Sequence, residues 1–211
     1  MHIRNVAISF ALSLAIPLAL ACGGGSDDGE KSDDDGGGSS EKSASPTVTK
    51  RTNLTAKQWS HEVCTLADAF FTLATTRGNA IAAVAPESVG AQDKIVAEYG
   101  QMVAGLTKYA RGVEALPPGK FDGGDAVKDL WVRLTSESEG QLKALLADVK
   151  ALPAAPQFAD AYFDLTGDFR DDNSDQNLRG ELHVLAVEHP KVQDVIDALD
   201  DDEKCARVGG E

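Results

Sequence analysis

The stretch that decides the fold is Thr55–Val84, TAKQWSHEVCTLADAFFTLATTRGNAIAAV. Its large apolar residues recur every three or four positions, the spacing that places side chains on one face of an α-helix. Gln58 follows Thr55 at the distance of a capping box, in which two side chains satisfy the first backbone N–H groups of a helix. Pro86 ends the pattern, because proline has no backbone N–H to continue a helix. We therefore predict a helix over residues 55–84.

The same apolar spacing recurs twice further along the chain. It runs through residues 88–116, which end at the turn Pro117-Pro118-Gly119, and again through residues 123–152, which end before Pro153. The alternation of apolar and polar residues that is typical of strands is scarce after residue 51. The sequence thus predicts three long helices, each of about 30 residues, or roughly 45 Å.

The fourth apolar stripe is less regular. It begins at Phe158, is interrupted by the polar run Arg170–Arg179, and resumes with Leu182, Leu185 and Val187. Pro190 then suits the first turn of a short last helix, where a missing N–H costs nothing. We predict an all-α domain over residues 51–211, an up-down-up-down four-helix bundle plus a short C-terminal helix.

Composition and charge restrict the classes of function. Hydrophobic residues make up 42% of the 211 residues, which is enough for a packed core. The formal net charge is −14, and residues 51–211 alone hold 27 acidic and 16 basic side chains. Nucleic-acid binding requires clustered Lys and Arg, so we expect no nucleic-acid partner. An acidic domain is also repelled by anionic lipid headgroups.

The N-terminus carries an export signal. Arg4 precedes an apolar run, Val6–Leu20, which is too short for a comfortable membrane span and typical of a secretory signal peptide. The run ends in Leu18-Ala19-Leu20-Ala21-Cys22, which resembles the lipobox of bacterial lipoproteins. The resemblance implies a signal peptide over residues 1–21, cleavage after Ala21, and lipidation of Cys22 with diacylglycerol and acyl chains such as palmitate. Ordinary signal cleavage beside an incidental cysteine is the alternative.

Residues 22–50 have the composition of a tether. Gly, Ser, Asp, Glu and Lys dominate them, and such segments bury too little apolar surface to fold. A coil of this length reaches roughly 30 Å from its anchor. We therefore expect a domain held through a lipid at the extracytoplasmic face of a bacterial cell membrane, and either the inner or the outer membrane is compatible.

The chain has three cysteines, Cys22, Cys64 and Cys205. With Cys22 lipidated, an exposed free pair is unusual in an oxidising compartment, so we predict a disulfide between Cys64 and Cys205. A two-cysteine metal site is the alternative, although it lacks the close CxxC spacing of such sites. The Trp59-x4-Cys64 opening and the Pro190-led helix before Cys205 resemble helical lipoproteins and small secreted proteins of bacterial envelopes. That resemblance implies the same bundle and disulfide, and no particular activity.

One polar run resembles the start of a calcium loop. Asp171, Asn173 and Asp175 alternate as in loops that aim successive oxygen ligands at one cation. Gln176 stands where such a loop needs glycine, and Leu182 stands where it needs a bidentate glutamate. The alternative is a solvated break inside the fourth helix, where Asp and Asn serve as turn residues.

The histidines of the mature chain are His61, His183 and His189. If the first and fourth helices are neighbours, His61 and His183 approach each other. A zinc or copper site needs three converging ligands, and the sequence has no HExxH or paired-Glu/ExxH motif. Surface or capping roles are the alternative.

Motifs that mark common enzymes are missing from the sequence. It has no nucleophile elbow, Walker loop, Rossmann fingerprint or haem-attachment motif. Gly123-Gly124 precedes a helix and offers backbone N–H groups to an anion, but Asp122 and Asp125 beside it repel one. Trp59 and Trp131 fall on apolar stripes and are predicted to lie in the core.

The sequence as a whole predicts a non-catalytic binding or scaffolding module of the bacterial cell envelope, without a cofactor. Its partner is expected to be an envelope protein or a small ligand. The alternative is a calcium- or transition-metal-binding envelope protein.

Overall fold

The computed structural model describes residues 53–172 and 178–205, with the side chains of residues 168–172 excepted. Every regular element in these two ranges is helical, which confirms the all-α prediction. The elements are α1 Ala56–Ala82, α2 Ala91–Ala115, α3 Gly124–Ala151, α4 Phe158–Asp172, α5 Leu178–Glu188, a 3-10 turn at Pro190–Val192, and α6 Gln193–Asp201.

The three long helices begin and end within about three residues of the predicted positions. The predicted capping box begins α1: the Gln58 N–H donates to Thr55 Oγ1 (3.3 Å), and the Thr55 N–H donates to Gln58 Oε1 (3.1 Å). The helices α2 and α3 begin after Gly90 and Gly123, whose φ angles of 78° and 84° are left-handed. Glycine adopts this conformation without a steric penalty, so each inter-helix turn changes direction there.

The helices α1 and α2 pack side by side in opposite directions. Arg77, late in α1, contacts Glu98, early in α2, with Nη1 3.3 Å from Oε2. Leu66, early in α1, faces Gly112, late in α2. The absence of a side chain at Gly112 lets α1 approach closely, which explains why a glycine is tolerated inside this helix.

The helices α2 and α3 are also antiparallel. At one end Trp131 Nε1 donates to the Tyr109 hydroxyl (2.8 Å). At the other end the side-chain amide of Gln92 donates to the backbone carbonyls of Val149 and Leu152 (3.0 Å each). Gln92 therefore satisfies carbonyl groups that the end of α3 leaves without intrahelical partners.

The predicted single fourth helix is two helices, α4 and α5, whose packing partners differ. The helix α4 lies against α3, and its Tyr162 hydroxyl is 3.3 Å from that of Tyr99 in α2. The helix α5 contacts α3, the 3-10 turn and α6, while α6 packs on α1. Three short helices, α4, α5 and α6, thus follow the three long ones.

The core lies between the long helices. Trp59 and Trp131 are both fully buried, as predicted, and their rings meet edge to face at a centroid distance of 5.5 Å. Around them lie other completely enclosed side chains from every long helix and from α4 and α5: Val63, Ile95, Met102, Val113, Val127, Leu134, Phe158 and Leu182.

Candidate functional site

The two cysteines of the domain join the start of the bundle to its end. The Cα atoms of Cys64 in α1 and Cys205 after α6 are 5.0 Å apart, and the side chains are 0% and 2% exposed. This is a distance that a disulfide spans without strain on the backbone. The structure thus places the predicted pair at disulfide distance.

A polar cluster surrounds this cysteine pair. His61 Nδ1 lies 2.7 Å from Asp202 Oδ2, the Lys204 N–H donates to Asp202 Oδ1 (2.9 Å), and Lys204 Nζ donates to Thr65 Oγ1 (3.3 Å). Burial raises the pKa of the Asp202 carboxyl, but the hydrogen bonds from His61 and Lys204 outweigh it, and the net pKa lies below the ordinary value. His61 therefore links α1 to Asp202, the residue directly after α6.

The other two histidines lie in different surroundings. His189, directly after α5, has Nδ1 3.1 Å from Asp122 Oδ1 in the turn before α3, and His183 is exposed on α5. The expected approach of His61 to His183 rested on α1 and the fourth helix being neighbours, whereas the principal partners of α1 are α2 and α6. Within residues 53–167 and 178–205, no three His, Cys, Asp or Glu side chains converge as metal ligands.

Several predicted site residues lie outside the described residues. They include the signal peptide, Cys22 and the stretch up to residue 50. Asn173 and Asp175 of the calcium candidate are also outside, and Asp171 is described only as backbone at the end of α4. The lipidation and calcium hypotheses therefore stay predictions.

The glycine pair before α3 has a structural role. The Gly124 N–H donates to the Phe121 carbonyl (3.0 Å), so it is engaged within the turn. A Cβ atom at Gly124 would lie only 1.9 Å from the Gly119 carbonyl oxygen. Close backbone approach thus requires glycine at this position.

The buried tyrosines are structural as well. Burial raises the pKa of Tyr109 although Trp131 donates a hydrogen bond to its hydroxyl. Burial also raises the pKa of Tyr99, and Tyr162 beside it adds to this effect. Both hydroxyls stay protonated at neutral pH, where they act as hydrogen-bonding groups of the core.

A groove between α3 and α5 is the strongest candidate for a binding site. It encloses about 350 Å³ and is lined by four residues of α3 and three of α5. We call it the α3–α5 groove, and its lining residues are Ala126, Asp129, Leu130, Arg133, Glu181, Val184 and Leu185.

Side-chain contacts link α3 and α5 near the two ends of α5. Arg133 of α3 pairs with Glu181 of α5. The Asp122–His189 pair lies at the opposite end, where α5 finishes beside the start of α3. The two helices are therefore antiparallel, and the ion pair Arg133–Glu181 lies within the lining of the α3–α5 groove.

An exposed valine, Val184, lines the α3–α5 groove, and a second exposed valine, Val187, lies one turn further along α5. Val184 is 67% exposed and Val187 is 83% exposed, whereas Leu182 on the same helix is fully buried. The apolar stripe read from the sequence treats Leu182, Leu185 and Val187 as one buried face. One feature of the sequence could have predicted the exposed valines. Apolar residues lie on more than one side of α5, LRGELHVLAVE, whereas a helix at the edge of a bundle can bury only one side.

No protein-family model, curated protein or solved structure matches this chain. Within the two described ranges, no helix combines the length and the apolar character that crossing a bilayer requires. The fold and the site define this part of the chain as an all-α domain with its first and last helices joined near a cysteine pair and with an open groove on α3.

Proposed function

We propose that this chain is a lipid-anchored, extracytoplasmic lipoprotein of the bacterial cell membrane, in which residues 51–211 work as a non-catalytic binding or scaffolding module. The observation that carries the proposal is the buried pair Cys64–Cys205 at disulfide distance. Disulfides persist in oxidising compartments and are rare in the bacterial cytosol, so this pair supports an exported domain.

The N-terminal sequence supports the anchor. The segment Leu18–Cys22 resembles a lipobox, and the following residues 23–50 have the composition of a flexible coil. Such a coil of 28 residues gives the domain a reach of roughly 30 Å. The negative charge of residues 51–211 favours a position away from anionic headgroups, where a partner can reach the domain.

The α3–α5 groove supports a binding role for the domain. It is open to solvent, has leucine side chains at its base, and is bordered by the exposed Val184. Concave sites with an apolar lining and a few fixed charges are the usual form of ligand and peptide sites. The partner is then an envelope protein or a small ligand that fits this surface.

Fractionation of bacterial cells tests the anchor. The full chain is expressed as wild type, as Cys22→Ala, and as Ser26→Ala, which changes a neighbouring small residue and leaves the acceptor cysteine. We expect wild type and Ser26→Ala in the membrane fraction, resistant to a high-salt wash and accessible to protease added outside spheroplasts. We expect Cys22→Ala to lose membrane association. A Cys22→Ala variant that still partitions with membranes contradicts the proposal.

The calcium alternative is favoured by the alternation of Asp171, Asn173 and Asp175. If these residues hold calcium, the ion stabilises the folded chain by mass action, and its addition raises the melting temperature of wild type. The triple variant Asp171→Ala, Asn173→Ala, Asp175→Ala is expected to lose that increase. An identical melting temperature of wild type with calcium and with chelator excludes this alternative.

A further inference from the structure

We propose that the α3–α5 groove docks a cationic amphipathic helix of a partner protein. The inference names the partner of the binding module proposed above and rests on that proposed function.

The shape of the α3–α5 groove suits a helix. On α3 its lining runs from Ala126 to Arg133, seven residue steps along the helix. At 1.5 Å per residue this is about 10 Å, or two helical turns. The lining positions recur at intervals of three and four on both α3 and α5, so two parallel ridges face the same space. An amphipathic helix recognised by anchors one turn apart fits between such ridges.

The apolar surface lies where such a helix would place its anchors. Val184 and Val187 are one turn apart on α5 and are mostly exposed, and Leu130 and Leu185 line the space next to them. A helix on the edge of a bundle usually turns its apolar residues toward the core. The apolar side chains of a bound helix would cover these valines and remove them from water. Burial of apolar surface is the dominant favourable contribution to the free energy of association.

The charges around the α3–α5 groove indicate the sign of the charge that a partner should carry. Arg133 contacts two carboxylates, Glu181 and Glu137, so its positive charge is neutralised. Asp129 lines the groove and is exposed, and Glu188 is exposed at the end of α5. Among the lining residues Asp129 and Glu181 are acidic and Arg133 is basic. The lining is therefore net negative, and it complements Lys and Arg beside the anchors of a bound helix.

The same charges disfavour two other occupants. A second copy of this chain carries a net charge of −14, and the two acidic surfaces repel each other. An anionic lipid headgroup is repelled for the same reason.

A photo-crosslinking experiment tests the proposal on the mature lipoprotein in a neutral detergent. The probe is an 18-residue amphipathic Leu/Lys peptide that carries one photoreactive residue on its apolar face. A Leu/Glu peptide of the same pattern and a scrambled Leu/Lys peptide are the controls. The adduct is quantified by intact mass and located by peptide mapping, and detergent affects every protein variant equally.

Two exposed valines give a matched pair of variants. Val184→Asp places a charge in the α3–α5 groove, while Val89→Asp places the same charge at a valine that is 94% exposed in the turn before α2. We expect Val184→Asp to reduce the adduct at least tenfold and Val89→Asp to change it less than twofold. We also expect adducts of wild type to map to residues 126–133 and 181–188.

A charge exchange provides a second test that is independent of the apolar contact. Asp129→Lys is expected to weaken crosslinking of the Leu/Lys peptide several-fold and to increase that of the Leu/Glu peptide. The circular dichroism spectrum of each variant verifies that the fold is retained.

Three outcomes overturn the docking proposal. Equal crosslinking of Val184→Asp and Val89→Asp shows general attraction to an acidic protein. Equal crosslinking of the Leu/Lys and Leu/Glu peptides shows that the groove does not select by charge. Adducts that map outside residues 126–133 and 181–188 show that the peptide binds to a different surface. The crosslinking result does not report on lipidation, so failure of the anchor in the fractionation experiment is distinguishable from failure of docking.

Discussion

The Cα atoms of Cys64 and Cys205 are 5.0 Å apart, although the two residues are separated by 141 positions in the chain. The pair connects the third turn of α1 to the residues after α6, and His61 Nδ1 lies 2.7 Å from Asp202 Oδ2 beside it. A covalent bond here restricts the unfolded chain far more than the folded one. In the chain-entropy model, a closed loop of this length stabilises the folded state by about 5 kcal/mol.

Loss of the bond is therefore expected to lower the free energy of unfolding. We predict that the double variant Cys64→Ala, Cys205→Ala unfolds at lower urea concentration than wild type, with a loss of about 2 to 5 kcal/mol. Reductant should shift wild type toward the variant and leave the variant unchanged. The control Cys22→Ala keeps the stability of wild type. A urea transition of wild type that is insensitive to reductant contradicts the prediction.

The Asp202 carboxylate gives stability a dependence on acidic pH. Because its pKa is lower in the folded state than in the unfolded chain, its contribution is present above the unfolded pKa and is lost as pH falls through the folded pKa. Asp202→Asn is expected to cost about 1 kcal/mol at pH 7 and nothing near pH 2. Asp201→Asn, at an exposed neighbouring position, is the control and should be neutral. Urea unfolding between pH 2 and pH 7 measures the free energy of unfolding of both variants. If Asp202→Asn loses the same free energy at pH 2 as at pH 7, the prediction is wrong.

Two glycines of α3 should respond to alanine in opposite directions. Gly140 is exposed and has open space where a Cβ atom would lie, so Gly140→Ala should raise the free energy of unfolding by about 0.5 to 1 kcal/mol through helix propensity. Gly124→Ala places its Cβ atom against the Gly119 carbonyl, which is backbone and cannot rotate away. We expect it to lower the thermal midpoint. Changes of the same sign in both variants would refute this account of the turn.

Gln92 should stabilise the end of α3. Its side-chain amide donates to the carbonyls of Val149, Lys150 and Leu152, so Gln92→Ala removes partners from carbonyl groups at a helix terminus. We predict a loss of about 1 to 2 kcal/mol. Hydrogen exchange should become faster at residues 149–152. Gln101→Ala is the matched control, because Gln101 is an exposed glutamine of α2, the helix that also carries Gln92. If both variants unfold alike, the cap contributes nothing.

Short-range sequence features were sufficient to predict the three long helices. The three- and four-residue spacing after Thr55, its capping box and the prolines are short-range features, and they determine α1, α2 and α3 almost to the residue. Burial of Trp59 and Trp131 followed from the same spacing, because residues on an apolar stripe face the core.

The contacts between helices were harder to predict from the sequence. The helix α6, rather than a long fourth helix, packs on α1. The Gln92 cap joins residues about 60 positions apart, and no local pattern indicates it. The α3–α5 groove depends on how Val184 and Leu185 face α3, so periodicity alone did not reveal which apolar residues of α5 stay exposed.

The central claim is that the mature chain is lipidated at Cys22 and has a disulfide in its domain. Intact mass spectrometry of the protein purified from bacterial membranes, denatured without reductant, tests both parts at once. The account predicts a chain that begins at Cys22 and carries the added mass of diacylglycerol and acyl chains. It also predicts a mass lower by two hydrogens than that of the reduced sample. An unacylated chain, or identical masses before and after reduction, would contradict it.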